Sequence, residues 1–416
     1  MGEYRLRCAG GNEILPPEYS SLTCPEHAGL LRTEYCAAQL KIRPELPGLF
    51  RYIDWLPVRR PIPTKTRPMT FQNESLSKTL GLPRLWLTLT GWAPEYGCYA
   101  KTGSFKELEA YPTLSGIPES GGKSLVVASA GNTGRAFAQA AAETGHSVVL
   151  IVPETSASAL WTVTETGDNV KLIAVSGDYS DAISISDRLC ALENYVSEGG
   201  AKNVARRDGM GTVMLSAAEK IGKLPDFYFQ AVGSGTGGIA AREASERLIR
   251  DGRFGSVLPR LHLIQNKPFT PMESAWKRGS RFITDEDMPD AARAVSSVYS
   301  PVLTNRTPPY GIPGGVFDAV TVCGGSIDSV ENRAAKEAFK LFEDAAGIKL
   351  DPAAAVALTG LIKAAEEGTI QSDAVIVLNL TGGGQKIEED LGRIPLKSAA
   401  IVSPDISLEK LKEVLL

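Results

Sequence analysis

From about residue 124 onward, apolar residues gather into short unbroken runs separated by stretches of helical period. The runs over 124–128, 147–152, 170–175, 226–232, 260–265 and 374–380 are strand-sized, well short of the ~20 residues a membrane-spanning helix needs. A strand that is apolar at consecutive positions is buried on both faces, as in a parallel sheet covered by helices. Between the runs the spacing predicts helices over 134–143, from 153 to about 166, and from 180 to about 196. The first fifty residues break this rhythm; they are rich in Pro, Gly, Cys and charge and show no period. Pro57, Pro61, Pro63 and Pro68 then mark an extended connection. The pattern predicts an α/β protein of two parallel-sheet domains with an N-terminal appendage. Its expected units are a Cys-bearing appendage over 1–50, a large domain from 51–106 and 215–416, and a small domain over 107–214.

Composition narrows the chemistry by exclusion. The chain has 416 residues, 43% apolar and 22% charged, with a net charge of −4. Such a balance draws in neither nucleic acid nor an anionic membrane, so an anionic substrate must be caught locally. The N-terminal residues lack the apolar core of a signal peptide, which predicts a cytoplasmic protein with reduced thiols. The three histidines, His27, His146 and His262, form no His-Glu-x-x-His pair for zinc hydrolysis. His146 sits in a helix-to-strand turn and His262 in a strand, which are structural settings. Cys8, Cys24, His27 and Cys36 could form a Cys3His zinc site. Closed zinc sites usually pair ligands at short spacing twice, whereas only Cys24 and His27 do so here, so a metal-free remnant is expected.

Four motifs carry the chemistry. The first is Ser104-Phe105-Lys106-Glu107, where a Thr-Gly-Ser turn opens a helix. Ser104 and Glu107 have capping-box spacing, which puts Lys106 in the first helical turn. There the helix dipole disfavours an ammonium and favours the amine needed in a nucleophile and base. The second is Ser129-Ala130-Gly131-Asn132-Thr133-Gly134, directly after a strand. Its free backbone N–H groups suit a carboxylate, and Asn132 offers a donor and an acceptor to a flat polar ligand. The third is Gly233-Ser234-Gly235-Thr236-Gly237, again between strand and helix, and it fits a phosphate cup. It also satisfies G-x-G-x-x-G, but a dinucleotide site wants an acid at the end of the next strand, and that strand ends in Gln265-Asn266. The fourth is Thr381-Gly382-Gly383-Gly384, a hydroxyl and open backbone at the end of the last strong strand. Together they supply an imine-forming amine, a partner for a ring oxygen, a phosphate anchor and a partner for a ring nitrogen, the needs of pyridoxal phosphate.

On these motifs the chain resembles fold-type II pyridoxal-phosphate enzymes (the tryptophan synthase beta-like fold) of the threonine synthase family. The resemblance runs from about residue 8 to about 390. It implies that Lys106 carries the cofactor as a Schiff base, Asn132 meets the ring's 3′-oxygen, and Gly233, Ser234, Gly235, Thr236 and Gly237 bind its phosphate. Thr381 would meet the pyridine nitrogen. Ser129 and Thr133 would face the substrate. Asn203-Val204-Ala205-Arg206 with Gly209 and Thr212 is similar to the family's Asn-Pro-x-Arg-x-x-Gly-x-x-Thr segment, which makes Arg206 a candidate for the substrate's phosphate. Ser-Phe-Lys-Glu-Leu-Glu replaces the Ser-Phe-Lys-Asp-Arg-Gly typical of threonine synthases, and residues 91–100 also depart from their pattern. These departures resemble a branch that makes cysteate from O-phosphoserine and sulfite, on the way to coenzyme M in methanogens. The resemblance implies small-molecule substrates and a homo-oligomer, with no nucleic-acid or membrane partner. Threonine synthesis from O-phosphohomoserine, another β-replacement, and, more distantly, nonenzymatic dinucleotide binding are the competing readings.

Overall fold

A computed structural model of the protein describes residues 2–17, 22–117, 122–384 and 386–415. The apolar runs become the middles of two sheets. The larger has the strand order Ser326–Val330, Arg260–Asn266, Phe227–Ala231, Ile376–Leu380, Leu85–Leu89, Met69–Phe71. All its pairings are parallel except the last. The smaller has the order Tyr195–Ser197, Ser124–Val127, Val148–Pro153, Val170–Val175, Ser398–Val402, and all its pairings are parallel. Every residue of Ile376–Leu380 and of Val148–Pro153 is buried, which is what a strand covered on both faces demands. The Ala-rich helix Pro352–Glu366 lies against the large sheet, with Ala354 to Leu358 fully buried. Its small side chains let helix and sheet approach closely.

Three expectations are corrected. The stretch predicted as one helix to about 166 is a short helix, Glu154–Ala157, followed by the strand Trp161–Thr162, which pairs with Ile394–Pro395. An aromatic and a β-branched residue side by side favour extended backbone there. The helix begun at Tyr179 ends at Cys190, and Tyr195–Ser197 becomes the edge strand of the small sheet for the same reason. The small domain is also not confined to the middle of the chain. Ser398–Val402 returns from the large domain, pairs with Val170–Val175, and is followed by the helix Leu408–Leu415, whose Leu411 and Leu415 pack on the small sheet's core. The strand supplies hydrogen bonds to an edge that would otherwise stand open.

The appendage has structure that lacks a periodic signal: an antiparallel sheet of Ile14–Leu15, Tyr4–Cys8 and Leu31–Tyr35. It is anchored by charge. Thr33, Tyr35 and Arg247 all donate to the buried Asp208, and Arg207, itself fully buried, donates to the Leu31 carbonyl. Because the strands that precede them run parallel to their neighbours, the turns after Val127, Ala231 and Leu380 leave their sheets at carboxyl ends, where ligands of open α/β sheets bind.

Candidate active site

Lys106 is held in place by backbone. Phe105 N–H donates to Thr381 O at 3.0 Å, Gly383 N–H to Gly103 O at 3.0 Å, and Ser104 bridges Gly382. The lysine turn is thereby stitched to the end of strand Ile376–Leu380, so the first and fourth motifs form one wall. Lys106 itself is the cap residue of the helix Glu107–Gly116, with φ −62° and ψ −20°. The expected capping box is not made. The Glu107 carboxylate instead accepts from Thr102 N–H, Thr102 Oγ1 and Thr66 Oγ1 at 2.5–2.8 Å, tying the helix start to the preceding turn. Burial pushes the Glu107 carboxyl up to about 7, against the pull of those three donors and helped by the nearby Glu143.

The environment of Lys106 Nζ holds a residue the sequence reading passed over. Nζ donates to Glu109 Oε1 at 2.7 Å. Glu109 is fully buried, and its other oxygen accepts from Arg206, which also pairs with Glu198. Burial alone would raise the Glu109 carboxyl; Arg206 and Lys106 together hold it below its ordinary value, so it is a carboxylate. Arg206 lies in the first turn of the helix Val204–Ile221, not in a loop leading to it. Both its terminal nitrogens are taken by carboxylates. A second anion would reach them only by displacing one. The rest of that segment is packing: Asn203 caps the helix, and a Cβ on Gly209 would lie 1.9 Å from Leu108 O, so the glycine permits close contact with the lysine helix.

The Asn132 loop opens the helix Asn132–Thr144, whose cap residue Gly131 spends no side chain on the free N–H groups. Ser129 Oγ accepts from Gly131 N–H at 3.4 Å, which shapes the turn. Asn132 Oδ1 accepts from Arg135, leaving the Asn132 amide N–H2 to face a ligand. Arg135 is the other residue the sequence reading missed. Its Nε is buried without a partner, its guanidinium lies 5.3 Å from the centre of the Trp161 ring, and the Asp351 carboxylate acts on it from across the site. Two signals were present: a cation in the first turn of a helix, against the dipole, and a carboxylate three residues after the lysine.

The third motif forms a cup at the start of the helix Thr236–Asp251. Gly235 has φ +78°, and a Cβ there would meet Val316 at 2.4 Å; one on Gly237 would meet the Gln230 side chain at 2.2 Å. Ser234 and Thr236 hydroxyls lie 2.8 Å apart, turned toward each other at the cup's lip. Gln230 and Tyr228 in turn hold Asn379, two residues before Thr381. Thr381 is buried, and its hydroxyl has no protein hydrogen-bond partner among the described residues. Gln265 and Asn266, at the position where a dinucleotide site needs an acid, are tied to Glu273 N–H and Ser300 N–H. The features fit pyridoxal phosphate: a cup shaped by glycines, a hydroxyl on a buried residue without a protein partner, and a partly buried lysine stitched to the strand that ends at that hydroxyl. His262 stacks on Phe229 and His146 bonds Thr144, so both are structural.

Comparison with known proteins agrees. Residues 72–382 match the family described as pyridoxal-phosphate dependent enzyme. The chain is 59% identical over 393 residues to a cysteate synthase of Methanocorpusculum labreanum, covering 94% of this chain and 95% of that one. It is 50% identical over 413 residues to a cysteate synthase of Methanospirillum hungatei, covering 99% and 97%. It is 49% identical over 417 residues to one of Methanosarcina barkeri, covering 99% and 100%. Among solved structures, maize serine racemase superposes with a TM-score of 0.56 at 15% identity, covering 83% of this chain and 90% of that one. Serine racemase from Dictyostelium discoideum gives 0.53 at 18%, covering 77% and 93%. These likenesses show the fold, that of fold-type II pyridoxal-phosphate enzymes. The chain belongs to the pyridoxal-phosphate-dependent enzymes and, within them, to the cysteate synthase family.

Proposed function

We propose that this protein makes L-cysteate from O-phospho-L-serine and sulfite, releasing phosphate. The reaction breaks the bond between the β-carbon and the phosphate oxygen and forms a carbon–sulfur bond in its place. The observation that carries the reading is the partly buried Lys106 bonded to the buried Glu109–Arg206 pair and stitched to the strand end at Thr381, in a chain similar over nearly its whole length to cysteate synthases. Bound pyridoxal phosphate supplies an electron sink that lets a proton leave the α-carbon and a group leave the β-carbon.

The chain's own residues do the rest. Lys106 Nζ would hold the cofactor, and as a free amine it would take the α-proton of the substrate. Glu109, kept ionised by Arg206, accepts a hydrogen bond from Nζ and so steadies the proton there. The Gly233–Gly237 cup with Ser234 and Thr236 would bind the cofactor's phosphate, and Asn132 would hold its ring. Thr381 would offer the ring a neutral hydroxyl, which imposes no proton as a carboxylate would. Ser129, Thr133 and the free N–H groups beside them receive the substrate carboxylate. The substrate's phosphate goes to Arg135, whose guanidinium pairs with no carboxylate at salt-bridge distance among the described residues, more readily than to Arg206, whose charge is already met by Glu109 and Glu198. The protein is read as a cytoplasmic homo-oligomer; no helix among the described residues is long and apolar enough to cross a membrane.

Kinetics of Arg135→Gln test this placement. The expected result is a KM for O-phosphoserine raised roughly tenfold or more, the loss of a charged hydrogen bond. Bound cofactor should stay near full occupancy. An unchanged KM would move the substrate's phosphate elsewhere.

A further inference from the structure

The appendage holds a cluster of donors unused by the chemistry above. Cys8 ends the strand Tyr4–Cys8, and Glu13 directly precedes Ile14–Leu15 on the other side of the turn, with Cys8 N–H donating to Glu13 O at 3.0 Å. Cys24 and His27 lie three residues apart on a second loop. The two loops cross in contact: a Cβ on Gly29 would lie 2.3 Å from Gly10 N, and one on Gly10 would lie 3.1 Å from the His27 Cβ. Their crossing brings one ligand atom from each of Cys8, Glu13, Cys24 and His27 within 4.8 Å of all the others. Cys36, expected from the sequence as the fourth member, is exposed and outside the group; Glu13 stands in its place.

We infer that Cys8, Glu13, Cys24 and His27 form a structural zinc site. Both thiols are buried, at 1% and 7% exposure. Glu13 Oε2 is buried and makes no hydrogen bond, its nearest polar neighbour being His27 Nδ1 at 3.1 Å. A carboxylate oxygen and two buried sulfurs gathered within 4.8 Å of an imidazole nitrogen are ligands that one divalent cation satisfies at once. Backbone N–H groups already serve the sulfurs as they would thiolates: Gly10 N–H points at Cys8 Sγ at 3.3 Å, and those of Glu26 and His27 at Cys24. Two sulfurs, one imidazole nitrogen and one carboxylate oxygen form a mixed, borderline-soft set that suits four-coordinate zinc.

The site has a structural consequence within reach of the chemistry. Ala9, in the first loop, packs on Gly314, and Leu30 N–H donates to Pro313 O at 2.9 Å. Two residues further on, Val316 packs against Gly235 of the phosphate cup. Ala9 and Gly10 also line a cavity of about 930 Å³ together with Arg281, Arg306, Tyr310 and Pro313. The cluster therefore braces the segment that backs the cup.

Elemental analysis of full-length holoenzyme, purified without added metal or chelator, tests the inference. About one zinc per chain is expected. Cobalt(II) added to chelator-treated protein should give the intense visible bands of a tetrahedral site and sulfur-to-metal charge transfer in the near ultraviolet. Glu13→Gln and His27→Gln, at partly exposed positions, should weaken metal retention against a chelator, and Cys36→Ser should not. Protein that contains no zinc and takes up neither zinc nor cobalt would overturn the proposal. So would a Cys8–Cys24 disulfide found in the native protein, or loss of metal in Cys36→Ser with retention in His27→Gln.

Discussion

At the scale of single residues, two glutamates in the first turn of the lysine helix divide the work by their neighbours. Glu109 faces Arg206 and Lys106 and is ionised; Glu107 is buried with no cation at hand, bonded to hydroxyls and a backbone N–H and near Glu143, and is pushed up to about 7. Glu109→Gln should keep the fold and the bound cofactor but lower kcat by about ten- to a hundredfold, because Nζ loses the anion that steadies its proton. Lys106→Ala, by contrast, should lose both turnover and the cofactor's absorbance band. Rapid kinetics beside an absorbance spectrum separate the two; an unchanged kcat in Glu109→Gln would make Glu109 a purely structural counter-ion. Glu107 carries a pH signature. Its folded-state value of about 7 lies above that of an exposed carboxyl, so the folded protein holds the extra proton between roughly pH 4.5 and 7. Its contribution is full below that window and is lost as pH rises through 7. Glu107→Gln, neutral at every pH, should flatten the fall in melting temperature between pH 5 and 8. A slope equal to that of the parent protein would contradict the assignment.

Among the elements, the strand-to-helix turns explain both what the sequence reveals and what it hides. The runs at 170–175 and 260–265 are legible because burial on both faces leaves only apolar residues, and both strands form almost as read. Trp161–Thr162 and Tyr195–Ser197 are hidden because each is too short to carry a period and depends on a partner strand remote in sequence. Ser398–Val402 is hidden for another reason: its place in the small sheet is a choice of tertiary structure. The motifs around Lys106, Asn132, Gly233–Gly237 and Thr381 stand out in the sequence because each lies on a strand-to-helix turn or strand end, where the pattern is local. The pairing of Lys106 with Glu109 is local, three residues apart, but that of Glu109 with Arg206 depends on a helix about a hundred residues away. The cup yields a test at this scale. Gly235→Ala places a Cβ at φ +78° and against Val316. The left-handed backbone alone costs about 1–2 kcal/mol, so the variant should lose cofactor on dialysis while its unfolding midpoint falls only modestly. Full cofactor retention would mean that the cup does not hold the phosphate.

For the whole molecule, two largely parallel sheets and the chain that passes between them set the four motifs at strand ends and strand-to-helix turns. The small sheet contributes the Asn132 loop with Arg135, and the large sheet contributes the cup and Thr381. Lys106 is tied to the large sheet by backbone hydrogen bonds and to the helix Val204–Ile221 through Glu109 and Arg206. On the proposed reading, a lysine beside a neutral hydroxyl, a glycine cup at another strand end and an arginine unpaired with any carboxylate at salt-bridge distance suit replacement of a phosphate at a β-carbon. The central claim is the identity of that replacement. Holoenzyme incubated with O-phosphoserine and isotopically labelled sulfite should form labelled cysteate and one phosphate per cysteate, as read by mass spectrometry. Threonine from O-phosphohomoserine in a parallel reaction, with no cysteate from phosphoserine and sulfite, would contradict it.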